Sequence, residues 1–294
     1  MKIKTLSVWS CTGGNVSELS FSLACRIAEE SRTLLCELPC LGLPRLGFIS
    51  EHMDRIRNTE TAILTLDREE ELSWQLVNES RPGLWVLPAS VYAIPDCPAT
   101  SRVNMETLIA FAGAIEALAE KNGMDKLIFD CQGQLTSPMT FFALKISDQI
   151  IIPVEEPADL AYILAALRRL AKIFGYSADQ FILAVSGELK PVESLLQSKK
   201  KKGSLLSGVR PLPWEIRKLA AALDWSGTAR QEEKTADLEI SEEGDRQALC
   251  RTDLPGGFHD GDRDLENSAD PGTEPIEEGD FWRPRAVAGC SVRL

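Results

Sequence analysis

The sequence predicts an α/β protein for residues 1–227, with a mainly parallel sheet covered by helices on both faces, followed by an acidic extension. Short apolar segments rich in β-branched or aromatic residues recur along residues 1–227, and patterns of helical length separate them. Strands joined by helical crossovers become parallel neighbours. The 294 residues are 44% hydrophobic, which supplies an ample core and excludes a fibrous or disordered protein for most of the length.

The elements can be assigned in chain order. Residues 3–9 predict the first strand, and residues 17–30 predict a helix with one apolar face formed by Phe21, Leu23, Ala24, Ile27 and Ala28. Further strands are predicted at 33–38, 84–88, 126–130, 149–154 and 181–185, and helices at 67–78, 105–121 and 158–174. Ligands of such sheets bind beyond the carboxyl ends of the strands, so a functional site is expected there.

The net charge of −12 is concentrated in residues 228–294, which hold 17 acidic and 8 basic residues for a net charge of −9. This segment has few large apolar residues, and such a composition cannot offset the entropy of an ordered chain. We therefore expect two parts, a folded domain over 1–227 and a disordered acidic tail over 228–294. A docking peptide anchored by Phe281 and Trp282 is the alternative for the tail.

The sequence contains neither an apolar run of about 20 residues, which a transmembrane helix needs, nor a secretory leader. We therefore expect a cytoplasmic protein without a transmembrane segment. Its eight cysteines form no CxxC pair and it has only two histidines, so no metal site is expected.

The turn after the first strand is the predicted position of a phosphate site. A P-loop needs glycines whose neighbouring amides surround the phosphates, a lysine for their charge and a hydroxyl for magnesium. Gly13 and Gly14 fit the opening of such a loop. The position of its third glycine holds Val16, the lysine position holds Ser17 and the hydroxyl position holds Glu18.

Several segments together resemble the MinD/ParA family of deviant P-loop ATPases. The KGGxGKT loop of the family corresponds to residues 12–18, its DxDxxG motif to 37–42, and its Walker B strand and switch to 130–133. Asp148 and Pro157 match a later family segment, and residues 211–217 match the IPxDxxvxxA stretch. Residues 83–90, GLWVLPAS, resemble a segment of the pilus-associated CpaE/TadZ branch.

Departures from the family motifs imply a degenerate nucleotide site. The position of the family lysine that reaches the partner's phosphates holds Thr12 here, and the positions of two family aspartates hold Glu37 and Pro39. Phosphoryl transfer depends on neutralising the negative charge that develops on the phosphates. The loss of both lysines removes the side chains that would supply most of this positive charge. The vestigial nucleotide-binding positions implied by the resemblance are Gly13, Gly14, Asn15, Ser17, Glu18, Asp130 and Gly133, and none is assigned as catalytic.

Three functions stay open. The favoured one is a MinD/ParA-like positioning or assembly factor with a degenerate site, a pseudo-ATPase serving a pilus or secretion apparatus. It implies no cofactor, protein partners from that apparatus, a homodimer held without nucleotide, and recruitment to the membrane or a pole through a partner. The alternatives are an active ATPase that uses ATP and Mg²⁺ with a relocated lysine, and a non-enzymatic interaction scaffold unrelated to polar machinery.

The run from Lys199 to Lys202 is interpreted as a solvated loop, with contact to DNA or acidic lipid as the alternative. The acidic balance of the chain argues against a dedicated nucleic-acid binder.

Overall fold

The strands form where buried apolar segments occur, and they join into one sheet. The computed structural model describes residues 2–12, 16–39, 44–92, 103–131, 137–156, 158–199 and 208–223. Within them the sheet order is β3-β4-β2-β5-β1-β6-β7-β8, and every pair of neighbours is parallel except β3 with β4. The strands are β1 (Lys4–Trp9), β2 (Thr33–Glu37), β3 (Asn78–Arg81), β4 (Leu84–Leu87), β5 (Lys126–Cys131), β6 (Gln149–Val154), β7 (Phe181–Val185) and β8 (Arg210–Pro213).

Helices connect the strands and cover both faces of the sheet. One face carries α1, α2 and α8, and the other carries α3 to α7. Each face of the sheet has its own hydrophobic core, and successive side chains of a strand point into one core and then the other. In β5, for example, Ile128 packs on the α1 side, while its neighbours Leu127 and Phe129 pack on the opposite side. The helices are α1 (Val16–Ala28), α2 (Leu46–Ile49), α3 (Thr59–Asp67), α4 (Met105–Lys121), α5 (Pro138–Ile146), α6 (Asp159–Phe174), α7 (Leu189–Lys199) and α8 (Ile216–Ala222).

This architecture confirms the predicted fold class and all of the predicted strands, with shifts of a residue or so at their ends. The helices predicted at 17–30, 105–121 and 158–174 are also present, as α1, α4 and α6. The antiparallel strand β3, the strand β8 and several helices, including α5, α7 and α8, were not predicted from the sequence.

The prediction of a helix at 67–78 is wrong. The helix in this region is α3, which begins earlier because Asn58 caps it: the Asn58 side chain accepts a hydrogen bond from the Thr61 N–H at 2.9 Å. It ends at Asp67, and the nearby Glu69 takes a left-handed backbone conformation (φ 59°) that does not continue a helix. Residues 74–76 form a short 3₁₀ turn, and β3 begins at Asn78.

A tight turn joins β3 to β4 and packs against the end of α1. Gly83 in this turn has φ +82°, and a Cβ at its position would lie 2.6 Å from the carbonyl oxygen of Ala28. The Thr33 N–H donates to the Gly83 carbonyl at 2.9 Å, which ties the turn to β2. Only glycine meets both the backbone angle and the close approach.

The two outer strands of the described sheet are short. The antiparallel pairing of β3 with β4 shifts register between Glu79 and Arg81. At the other border, β8 has the sequence RPLP and pairs with β7 through residues that include Pro211 and Pro213.

The predicted acidic tail, residues 228–294, lies outside the described residues, as do Lys200 to Lys202 and Pro157. Among the helices that are described, none combines the length and apolarity needed to cross a membrane.

Candidate functional site

The carboxyl ends of β1, β2 and β5 meet at one place on the sheet. Asp130 of β5 is in register with Val8 of β1 and with Glu37 of β2. Val8 packs in the core beneath α1, so strand pairing places Asp130 and Glu37 on that same face. The sheet therefore brings two buried acidic side chains to the face from which α1 begins, which is where a ligand of this fold is expected.

The turn between β1 and α1 presents hydroxyl groups. The Thr12 N–H donates to Ser10 Oγ at 3.2 Å, and the two side-chain oxygens lie 3.3 Å apart. Thr12, at the position of the family's first lysine, is exposed. The predicted positions Gly13, Gly14 and Asn15 lie outside the described residues, and so does Gly133 after β5.

The first turn of α1 is buried at two positions and exposed at the third. Val16 and Ser17 are 2% and 1% exposed and belong to the inner side of the helix, whereas Glu18 is exposed. The sequence has no lysine or arginine between Lys4 and Arg26. A triphosphate at this turn would therefore meet hydroxyls and a carboxylate but no positive side chain from the turn or the first turns of α1. These residues do not fit a magnesium triphosphate held in the manner of a lysine-containing P-loop.

Glu37 binds backbone amides from two other segments. Its Oε1 accepts the Arg45 N–H at 2.8 Å and the Leu46 N–H at 3.2 Å, and its Oε2 accepts the Ala89 N–H at 2.9 Å. We call this arrangement of Glu37, Arg45, Leu46 and Ala89 the Glu37 clasp. It fixes the start of α2 and the segment that follows β4 to the end of β2. The side chain at one of the family's aspartate positions is thus occupied by the protein's own main chain.

Burial beside Asp130 makes Glu37 a weak acid. Its side chain is 1% exposed, and the loss of water together with the neighbouring Asp130 charge raises its pKa to about 8. The three amide donors of the clasp favour the ionised form and oppose that rise in pKa. Glu37 therefore changes charge near neutral pH.

A second buried acid, Glu60, lies beside the clasp. Glu60 Oε2 accepts the Ser90 N–H at 2.6 Å, one residue beyond the Ala89 that Glu37 binds. Burial raises the pKa of Glu60 as well. Thr59 donates its hydroxyl to the Glu37 carbonyl at 2.8 Å. Neither Thr59 nor Glu60 was predicted as a site residue from the sequence, although an Asn followed by polar residues at 58–61 and then an apolar run is a signal for the start of a helix.

Asp148, which the family resemblance singles out, has a structural role. Its Oδ2 accepts the Thr5 N–H at 2.9 Å, and its own N–H donates to the Thr5 carbonyl at 2.8 Å. This contact ties the start of β6 to the first half of β1, away from the carboxyl end of that strand. Across the part of the chain that the structure describes, no group of three or more His, Cys, Asp or Glu side chains is arranged to hold a metal ion.

Comparison with solved structures places the chain in a known fold. It superimposes on a plasmid partition protein from Borrelia burgdorferi (TM-score 0.51, 13% identity, 74% of this chain and 93% of the other). It also matches cobyrinic acid a,c-diamide synthase from Mycobacterium smegmatis with a bound ATP analogue and magnesium (TM-score 0.50, 18% identity, coverage 75% and 91%). The third is the ATP complex of a McdA variant from Cyanothece (TM-score 0.50, 16% identity, coverage 75% and 86%).

The chain shares the fold of these proteins, which is the MinD/ParA-like fold that the sequence resemblance implies. At 13–18% identity the likeness extends to the fold alone. No family model matches the sequence, and no curated protein matches it.

Proposed function

We propose that the chain is a positioning or assembly factor of the MinD/ParA type whose nucleotide site is degenerate, and that it serves a pilus or secretion apparatus. The fold supports the first part of the proposal, because proteins that share it include a plasmid partition protein. The resemblance of residues 83–90 to the CpaE/TadZ branch supports the second part.

One observation supports the proposal that the nucleotide site is degenerate. Between Lys4 and Arg26, along β1, the phosphate turn and most of α1, the chain has no cationic side chain, while Glu18 stands at the magnesium-hydroxyl position. Stabilising the transferring phosphoryl group requires positive charge placed at that turn. A protein lacking it would work through its surfaces and through partners.

An active ATPase of the same fold is the second candidate. Asp130 favours it, because this acid remains at the carboxyl end of β5 next to β1, where the family's Walker B acid is expected. Two of the structural neighbours hold ATP or an ATP analogue, so the fold accommodates nucleotide. In this case a lysine or arginine from elsewhere would supply the missing charge.

The first prediction separates the two candidates. We expect the purified full chain to release phosphate from magnesium ATP no faster than buffer, because Thr12 and Ser17 supply no cation to the phosphates. Asp130→Asn is the matched variant and should leave this background unchanged. Magnesium-dependent turnover that Asp130→Asn abolishes would establish the active ATPase instead.

The proposed partners need a separate test. The full chain should co-purify with components of a pilus or secretion apparatus encoded near its gene, and a charge-reversed variant of an unrelated surface, such as Glu71→Lys, should co-purify equally well. Failure with every such component would favour the third function, an interaction scaffold unrelated to this machinery.

A further inference from the structure

Large exposed apolar side chains are concentrated on one short segment. Among the described residues seven large apolar side chains are exposed, and four of them lie on residues 45–57 or on the adjacent Tyr92. These four are Phe48, Met53, Ile56 and Tyr92, with exposed fractions of 58%, 47%, 67% and 54%. We call residues 45–57 together with Tyr92 the 45–57 face. Single exposed apolar residues are ordinary, but three on one 13-residue segment, with Tyr92 joined to it through Arg55, make this segment a candidate interaction surface.

The backbone of this face is held in place by hydrogen bonds. The Glu37 clasp fixes its first residues, the His52 N–H donates to the Gly47 carbonyl at 2.9 Å, and Ser50 Oγ donates to the Leu46 carbonyl at 2.7 Å. Leu46 is fully buried beneath α1. The apolar side chains are therefore exposed on an anchored segment rather than on a frayed one.

Further contacts fix the second half of the face. Asp54 Oδ1 accepts the Ile56 N–H at 2.7 Å and the Arg57 N–H at 3.2 Å, which turns the chain beneath Ile56. The Tyr92 N–H donates to Ser90 Oγ at 3.2 Å. Arg55 lies over the Tyr92 ring, 5.0 Å from its centroid, which joins the two parts of the face.

The charge on this face is locally positive in an acidic protein. Arg45, Arg55 and Arg57 are all exposed. The acids of the segment are Glu51 and Asp54, and the Asp54 carboxylate already accepts two backbone amides. Residues 45–57 thus carry three arginines against two acids, whereas residues 1–227 taken together carry a net charge of −3, since −9 of the −12 belongs to residues 228–294. Arginines interleaved with aromatic and aliphatic side chains are typical of sites that bind a peptide.

We propose that the 45–57 face binds an acidic segment of a partner protein that carries aromatic or aliphatic anchor residues. The inference rests on the proposed function to the extent that an assembly factor needs a partner. The acidic partner follows from the three exposed arginines, and its apolar anchors follow from Phe48, Met53 and Ile56. A second copy of the chain would bring the same three arginines against this face, and a net charge of −12 opposes binding to an anionic membrane.

Fluorescence anisotropy with two synthetic peptides tests the inference on the full chain. In one peptide Asp and Glu alternate with Phe, Leu and Ile, and in the other Lys replaces each acid. We expect the acidic peptide to bind at least about tenfold more tightly. Phe48→Ser combined with Ile56→Ser should weaken it by about tenfold or more. The matched controls are Met105→Ser and Tyr162→Ser, which remove apolar side chains that are 59% and 62% exposed elsewhere, and they should not change binding.

Charge reversal gives a positive result that a merely structural effect cannot produce. The variant Arg55→Glu with Arg57→Glu should prefer the lysine peptide, and an unchanged thermal melting temperature should show that it is folded. Equal binding of both peptides by the wild-type chain would overturn the inference.

Two other outcomes would replace the inference. If the chain binds anionic phosphatidylglycerol vesicles but neither peptide, and if Phe48→Ser with Ile56→Ser abolishes vesicle binding, the face is a membrane-binding surface. Self-association lost in these variants would replace the inference by a dimer interface. ATP turnover plays no part in these measurements, so they fail or succeed independently of the proposed function.

Discussion

Glu37 joins three segments that are distant in the sequence. Its carboxyl oxygens accept amides from positions 45, 46 and 89, while its neighbour across the strands is the fully buried Asp130. The same group thus stabilises local structure by hydrogen bonding and destabilises it by charge repulsion. The balance depends on its protonation, because protonation removes the repulsion between the two carboxylates.

This balance predicts a stability that falls as the pH rises. The folded-state pKa of Glu37 is raised to about 8 from an ordinary value of 4.5, and that of Glu60 is also raised. The folded state then binds more protons than the unfolded state between these values, so the free energy of unfolding should decrease from about pH 5 to about pH 8.5. A decrease on the order of a few kcal/mol is expected. Urea unfolding across this pH range measures it.

Two variants check the origin of the pH dependence. Asp130→Asn removes the neighbouring charge, so it should reduce the decrease in part, while the larger contribution from burial of Glu37 and Glu60 should remain. Glu71→Gln alters an exposed acid on the Lys121 ion pair and should leave the slope unchanged. A wild-type free energy of unfolding that is constant or rises over this range would show that ionisation of Glu37 and Glu60 does not destabilise the folded state.

At the scale of elements, the inner strands were predictable and the borders were not. Buried parallel strands such as 126–131 and 149–154 are apolar on both faces, and that pattern is visible in the sequence. The outer strands NESR and RPLP carry polar residues or prolines, so no strand pattern marks them. The Glu37 clasp was equally hidden, since its donors lie 8, 9 and 52 residues away and only the folded sheet brings Ala89 to Glu37.

The turn between β3 and β4 offers a test of local geometry. Gly83→Ala should destabilise the domain by roughly 2 kcal/mol or more, because alanine must adopt φ +82° and its Cβ would press on the Ala28 carbonyl. Gly113→Ala is the matched control, since Gly113 lies within α4 with nothing within 4 Å of the added Cβ. It should stabilise by about 0.5–1 kcal/mol. Thermal melting of both variants measures the difference, and similar losses in the two would rule out the steric explanation.

At the scale of the whole molecule, the described helices and strands all lie between residues 4 and 222, and the buried residues of both cores lie between residues 3 and 223. We propose that residues 1–227 form a self-sufficient domain. A chain ending at residue 227 should therefore unfold cooperatively, with a melting temperature within about 2 °C of the full chain. Differential scanning calorimetry makes the comparison, and a loss of several degrees would mean that residues 228–294 stabilise the domain.

The oligomeric state is the second prediction at this scale. The proposed degenerate site, which lacks a lysine in the phosphate turn, predicts that ATP does not bridge two copies and that any dimer is held by direct contacts. Sedimentation of the full chain should give the same mass with and without magnesium ATP. A mass that doubles only with nucleotide would contradict the degenerate site and favour the active ATPase.

The two borders of the sheet limit how such molecules can join. A proline has no N–H, so Pro211 and Pro213 deprive the β8 border of main-chain donors that another strand would need. On the opposite border, β3 is four residues long and irregular in its register. Growth by adding strand to strand, the route to fibrils and to exchanged subunits, is thus disfavoured at both outer strands of the described sheet. Copies or partners would have to bind through side chains. The specificity of binding would then depend on surface residues, which single substitutions can change without disturbing the fold.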